Sequence, residues 1–218
     1  MASNLRLAGS RFRVREASKA DVSGMTDAFF NSFNAPFWRY FTPDTPDKRE
    51  WWNDAWTMGI ENPTDRSFVV EDTEEGNTVV AFSRWMTPQR NGNLERKWPE
   101  MAEHEWDMEI VNQFFGGMAS NRHEMMGKRP HWFLEMLGVH DGYQKRGIGA
   151  RLIKWGTDQA DKEGLETYLD GSEVGQPYYK SRHAFSQDKD IVIPDRPQYG
   201  SIHYVSLMRS PQKPPTEA

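Results

Sequence analysis

Cysteine is absent from the 218-residue chain, which excludes disulfides, thiolate metal sites and a cysteine nucleophile. No apolar run reaches the roughly 18 residues that a membrane-spanning helix needs. The opening Met1-Ala-Ser-Asn-Leu-Arg-Leu-Ala8 lacks an apolar secretory core, and a cytoplasmic protein is the expectation. Excess positive charge is also missing. The net charge is −5, which argues against general binding to nucleic acid or to an anionic membrane. There is no Gly-Lys-Ser/Thr phosphate loop and no internal repeat, and neither His131 with His140 nor His104 with His123 forms a metal signature, so no metal is expected. What the chain does have is 9 Trp, 12 Phe and 11 Met, enough for a large core or a broad aromatic pocket.

Residues 1–10 read as a flexible leader and 210–218, rich in proline, as a disordered tail. Residues 11–209 read as a single domain. Arg11–Glu16 alternates like a strand. Ser18 or Asp21 can cap a helix whose apolar face is Val22, Met25, Phe29, Phe30 and Phe33. After the aromatic cluster 37–41, a second helix is predicted from about Asp47 to Ile60. Ser67–Glu71 and Thr78–Met86 read as a hairpin across the turn 72–77. Residues 87–130 are polar, with helical runs at Met101–Phe115 and Met118–Met126, and read as a helical insertion before the central strand. Beyond that strand come a helix, a strand at Glu166–Gly171, a helix from Gly175 to about Arg182, and strands at 191–193 and 202–208. The order β, α, α, β, β, insertion, β, α, β, α, β, β predicts an α+β (mixed α/β) domain.

The centre of the pattern is His131–Trp155. Trp132–Val139 is apolar except for Glu135, as a mostly buried strand would be. From Ala150 the period turns helical, with Leu152, Ile153, Gly156 and Ala160 on one face. Between them lies Gln144-Lys-Arg-Gly147-Ile-Gly149. Two glycines let backbone approach a ligand closely. The helix start behind them offers amide groups and a partial positive charge, and Lys145, Arg146 and Arg151 add formal charge. The loop reads as a cradle for a diphosphate at a strand–helix junction.

This stretch resembles the GNAT superfamily of acyl-CoA N-acyltransferases. The match is that family's Gln/Arg-x-x-Gly-x-Gly/Ala loop, here Gln144 to Gly149 followed by Ala150. It is supported by the preceding strand, the Arg13-Val-Arg-Glu-Ala17…Asp21 opening and Tyr179, and covers roughly Phe12 to Met208. The resemblance implies a twisted, mixed, mostly antiparallel sheet flanked by helices. It implies acetyl-CoA as co-substrate, held through Gln144, Lys145, Arg146, Gly147, Ile148, Gly149 and Ala150 at the pyrophosphate. The strand end at Leu137, Gly138 and Val139 would pair with pantetheine. It also implies a primary amine acceptor, here leaning to a small molecule, with a homodimer as one open assembly. In one respect the chain departs from the family. Members often carry Gly-Phe soon after the tyrosine, whereas here Ala184-Phe185 stands further on, which leaves Tyr178 and Tyr179 both open as the proton donor.

The implied reaction needs a base for the amine, which has an ordinary pKa of about 10.4. Glu135 is the first candidate because it is the one ionisable group inside the apolar strand, and burial favours the protonated carboxyl; its bland reading is a carboxylate paired across the sheet. Asp170, at the end of the next strand, is the second, against a reading as turn or cap with Gly171. Tyr179 is the candidate acid for the leaving thiolate, against plain core packing. The aromatic runs 37–41 and 51–56 read either as core or as pocket wall. The implied mechanism is direct attack in a ternary complex. Two rivals remain. One is a non-catalytic coenzyme A-binding module on the same fold. The other is a Rossmann nucleotide enzyme, with Gly147-x-Gly149 before a helix and Asp170 about 20 residues on; against it, Leu152 stands where the third glycine belongs.

Overall fold

A computed structural model describes residues 5–6, 11–92 and 97–212. Of the expected leader, Leu5–Arg6 form a short strand, while 1–4 and 7–10, like 213–218 of the expected tail, lie outside the described residues. The fold is a mixed, mostly antiparallel sheet with flanking helices, as the resemblance implies. The chain forms two compact units, residues 1–85 with 135–152, and residues 86–134 with 153–218.

In the first unit the strands run in the order β1 (Leu5–Arg6), β2 (Phe12–Glu16), β3 (Asp65–Asp72), β4 (Thr78–Met86) and the second half of β5 (His131–Val139). β2 is antiparallel to both neighbours, with Leu5 opposite Val14 and Val14 opposite Val70. The period-2 alternation of β2 puts Arg13 opposite Glu71, and Arg15 reaches the same carboxylate at 2.8 Å. Helices α1 (Val22–Ser32), α2 (Pro36–Phe41) and α3 (Pro46–Glu61) supply the apolar layer. Phe29 packs on Trp52 with ring centroids 3.9 Å apart, Trp52 on Trp56 at 5.2 Å and Trp56 on Phe82 at 5.0 Å, all buried. Phe37, Trp38, Phe41 and Trp51 are buried as well. The aromatic runs of the sequence are therefore core.

Before α1, the Asp21 carboxylate accepts from the Ser18 amide and hydroxyl, at 2.7 and 2.8 Å, and from Arg15 at 2.8 Å. The Arg15 hydrogen bonds, outweighing burial, hold its pKa at about 2 against an ordinary 3.8. A depressed carboxylate stabilises the fold above its unfolded pKa, and that contribution disappears as pH falls through the folded one. Urea midpoints taken over roughly pH 2–5 should therefore fall as pH drops, and Asp21→Asn should flatten that part of the curve. An unchanged slope would mean that Asp21 is not coupled to folding.

In the second unit the order is β5 (first half), β6 (Glu166–Ser172), β8 (Tyr204–Arg209), β7 (Gln187–Ile191). β5 and β6 are parallel from His131 opposite Glu166 to Leu134 opposite Leu169; β8 is antiparallel to β6 and to β7. Met86, Met126, Phe133, Tyr168 and Met208 form one buried cluster. The expected insertion is only partly helical. Its described residues before Asp107 carry no helix or strand, and the helical part is α4 (Met108–Ile110), a π-helical turn (Val111–Phe115) and α5 (Gly116–Met126). The start falls at Met108 because Asp107 caps it, its carboxylate accepting from the Ile110 amide at 3.3 Å. Arg196 then bonds Asp107 at 3.0 Å and Glu109 at 2.6 Å, tying this connection to the segment between β7 and β8. α6 (Ile148–Glu163) begins in the first unit and ends in the second, and α7 (Gln176–His183) follows β6.

Candidate functional site

The loop between β5 and α6 is fixed from both sides. Asn31 accepts from the Asp141 amide at 2.8 Å, and Asn34 donates to the Asp141 carboxylate at 2.6 Å. Gln144 donates from its side-chain amide to the Val139 carbonyl at 3.1 Å and to Asp141 at 2.9 Å. Its side chain therefore shapes the loop and closes it onto the end of the strand. Arg146 donates to the Gly142 carbonyl at 3.0 Å and lies over the Tyr143 ring. Lys145 and Gly147 are both left-handed, at φ 59° and 79°. For lysine that conformation costs about 1–2 kcal/mol, and such strain persists where the surroundings impose it.

The first helical bond of α6 runs from the Arg151 amide to the Gly147 carbonyl at 3.1 Å, so the amides of Ile148, Gly149 and Ala150 precede any helical acceptor. A Cβ built on Gly147 would meet nothing within 4 Å, whereas one on Gly149 would touch Val139 and Leu137 at 3.6 and 3.7 Å. Gln144–Gly147 are exposed. Two left-handed residues on either side of Arg146, early-helix amides and the charges of Lys145 and Arg146 make a positively polarised surface suited to a diphosphate.

Gly138 has a packing reason of its own. A Cβ there would overlap Ser32 Oγ and come within 2.6 Å of the Phe82 ring. The His140 amide bonds the Val80 carbonyl of β4 at 2.9 Å. The parallel ladder with β6 ends at Leu134 opposite Leu169, while β5 runs on through Leu137 to Val139.

Glu135 is not alone in its strand. Its carboxylate lies 2.5 Å from Nε of Arg84 on β4, and both side chains are buried. Arg84 also donates to the Ala55 carbonyl at 2.9 Å, and its guanidinium lies over Trp56. A Cβ on Gly59 would come within 2.9 Å of Arg84, so the α3 glycine makes room for this arginine. In the sequence Glu135 stands out without Arg84. The available signal was the matching oddity, a lone arginine in the apolar strand Val79–Met86.

On the second unit, Asp170 accepts at one oxygen from Tyr168 at 2.9 Å and from Ser206 at 2.7 Å. Tyr179 is half-buried on α7 and Tyr178 more exposed. Burial, and then the nearby Tyr204 and Tyr178, push the Tyr179 phenol up to about 12, so it keeps its proton at neutral pH. Ala184, where the family often has glycine, sits at φ 58° as the C-cap of α7 and donates its amide to the Tyr179 carbonyl. An alanine thus occupies a left-handed cap that glycine takes at less cost. Among the described residues no group of three or more His, Asp or Glu could hold a metal ion, and no helix is long and apolar enough to cross a membrane. Thus Glu135 and the loop residues lie on the first unit, Asp170 and Tyr179 on the second.

Residues 26–186 match the model of the Acetyltransferase (GNAT) family. Among solved structures, the chain is similar to one from Corynebacterium glutamicum ATCC 13032 described as histone acetyltransferase HPA2 and related acetyltransferase, with TM-score 0.57 and 17% identity over 93% of this chain and 98% of that one. It is similar to a putative phosphinothricin N-acetyltransferase, with TM-score 0.52 and 16% identity over 93% and 99%. It is also similar to yncA, a putative acetyltransferase from Salmonella typhimurium solved with acetyl-CoA, with TM-score 0.51 and 13% identity over 96% and 99%. At these identities the structural likenesses speak for the fold.

Proposed function

The chain belongs to the acetyltransferase (GNAT) family, and on that premise we propose that it transfers an acetyl group from acetyl-CoA to the primary amine of a small molecule, by direct attack in a ternary complex. The observation that carries this reading is the loop ahead of α6, with left-handed Lys145 and Gly147 and early-helix amides from Ile148 to Ala150. These groups would hold the pyrophosphate, with Lys145 and Arg146 adding charge. The main chain of Leu137–Val139, beyond the last β6 pair, would bind pantetheine, and an amide near Leu137 or Gly138 would polarise the thioester carbonyl. When bound, acetyl-CoA supplies the activated acyl carbon.

Of the two carboxylates, Asp170 suits the base better. The Glu135 carboxylate is ion-paired with the buried guanidinium of Arg84, and taking a proton there would break that buried pair. Asp170 would accept the amine proton as the new C–N bond forms, a contribution of about 10²–10⁴-fold. Tyr179, protonated at neutral pH, would return a proton to the departing thiolate. The Arg196 clasp on Asp107 and Glu109 fixes the connection ahead of α5. A fixed connection favours a confined acceptor over an open peptide groove.

The test is thiol release from acetyl-CoA against polyamines, amino sugars, aryl amines, amino acids and peptides, read with a thiol reagent to which the cysteine-free chain contributes nothing. Release with a small amine is expected. Tyr179→Phe should then lower kcat by about 10-fold or more, while KM for acetyl-CoA stays within about two-fold. Unchanged kcat would make Tyr179 packing. Release with peptides alone would overturn the small-molecule acceptor. Acetyl-CoA that raises Tm without release from any amine would favour a binding module.

A further inference from the structure

The register of β6 on β8 sets Asp170 directly opposite Ser206, and Tyr168 stands two residues earlier on the same face of β6. Both hydroxyls donate to the same carboxylate oxygen of Asp170, Ser206 at 2.7 Å and Tyr168 at 2.9 Å. Behind Ser206 stands Asn121 of α5, whose amide nitrogen donates to Ser206 Oγ at 3.1 Å. A serine hydroxyl has one proton. With Asn121 donating into its oxygen, that proton is directed at the carboxylate. Asn121 is fixed in turn, donating to the Asp190 carbonyl of β7 at 2.9 Å. Ser206, Tyr168 and Asn121 are all buried, and Asp170 is half-buried.

We propose that Ser206 and Tyr168, with Asn121 behind Ser206, are positioning residues that hold Asp170 ionised and fixed in orientation for acyl transfer. The inference rests on the reading of Asp170 as base. It gives the helical part of the connection before β5 a stake in the chemistry, because α5 contributes Asn121. Hydrogen bonds to the charged form of a carboxylate stabilise that form, and two on one oxygen also fix the plane of the group. Burial, with the charge of Asp170 next, raises the Tyr168 phenol, so it remains a donor at any working pH. Charged and titratable groups facing this cluster include Arg122 on α5 and His131 on β5, whose ring packs on Tyr168, and Lys189 on β7, opposite Ser206 in the register and paired with Glu124 of α5, while the neighbouring Asp190 pairs with His203. Arg122 acts electrostatically on both Tyr168 and His131.

The experiment is a carboxyl-carbon NMR titration of the full chain labelled at aspartate, with Asp170→Asn identifying the Asp170 signal by its loss. Ser206→Ala should raise the Asp170 midpoint by about 0.5–1 pH unit. Ser206→Thr should restore it, and Tyr168→Phe and Asn121→Ala should move it the same way. The acid limb of kcat/KM for thiol release, measured with the best amine of the panel, should follow the NMR midpoint. An unmoved midpoint in Ser206→Ala, with Tm near wild type, overturns the network. If Asp170→Asn nonetheless loses activity, the base assignment survives that failure. Full activity in Asp170→Asn refutes the base, and the positioning role falls with it.

Discussion

Arg84→Met is expected to cost about 3–5 kcal/mol of stability, seen as a fall in the urea midpoint at unchanged m. The guanidinium is fully buried and ion-paired with the buried Glu135 carboxylate. Its removal also takes the donor from the Ala55 carbonyl and the cation from the face of Trp56. The dominant loss is the ion pair itself, because stripping a buried carboxylate of a charged partner costs far more than an intact pair contributes. The double variant Arg84→Met with Glu135→Leu removes that charge and should recover most of the loss. The comparison separates the electrostatic cost of breaking the pair from the volume change. It also bears on chemistry. If Glu135 is a structural counter-ion, Glu135→Gln lowers Tm but leaves the acid limb of the rate profile in place. A double variant as unstable as Arg84→Met alone would mean that the side-chain volume of Arg84, and not its charge, is what the fold requires.

What the sequence revealed and what it hid divide along the range of the interactions. The strand, glycine loop and helix from His131 to Glu163 were legible because their determinants are local: an apolar run, two glycines, then a 3.6-residue period. Pairings across distant segments were not. Glu135 reads as a lone carboxylate until the strands place Arg84 beside it. Asp170 reads as a turn residue until the register brings Ser206 opposite. The late strand was expected on Ile191-Val-Ile193, yet β7 is the polar Gln187–Ile191. It lies at the end of the strand order and pairs with β8, and backbone bonding there needs no apolar alternation. Helix was expected from Met101, at the start of the polar helical run that reaches Phe115. An N-cap at Asp107, fixed by Arg196 from a distant segment, decided the start instead.

Gly147→Val is expected to weaken acetyl-CoA binding by about 100-fold or more, equivalent to roughly 2.7 kcal/mol, with only a modest loss of stability. The two consequences differ because of where the side chain would go. A Cβ at Gly147 meets no protein atom within 4 Å, so the fold bears only the left-handed strain at φ 79°, about 1–2 kcal/mol. The ligand would bear the rest, because the added methyls would stand beside the backbone amides that must reach phosphate oxygens at hydrogen-bond distance. Gly149→Ala is the informative companion. Its Cβ would make ordinary contact with Val139 and Leu137, so it should fold normally and bind with a smaller loss. Calorimetry with acetyl-CoA, alongside urea denaturation of the same preparations, reads both quantities. If Gly147→Val loses stability as expected yet binds acetyl-CoA like the wild type, the diphosphate is held elsewhere. The left-handed turn would then serve only to start α6, and the base and acid assigned to Asp170 and Tyr179 would have to be judged without the loop that motivates them.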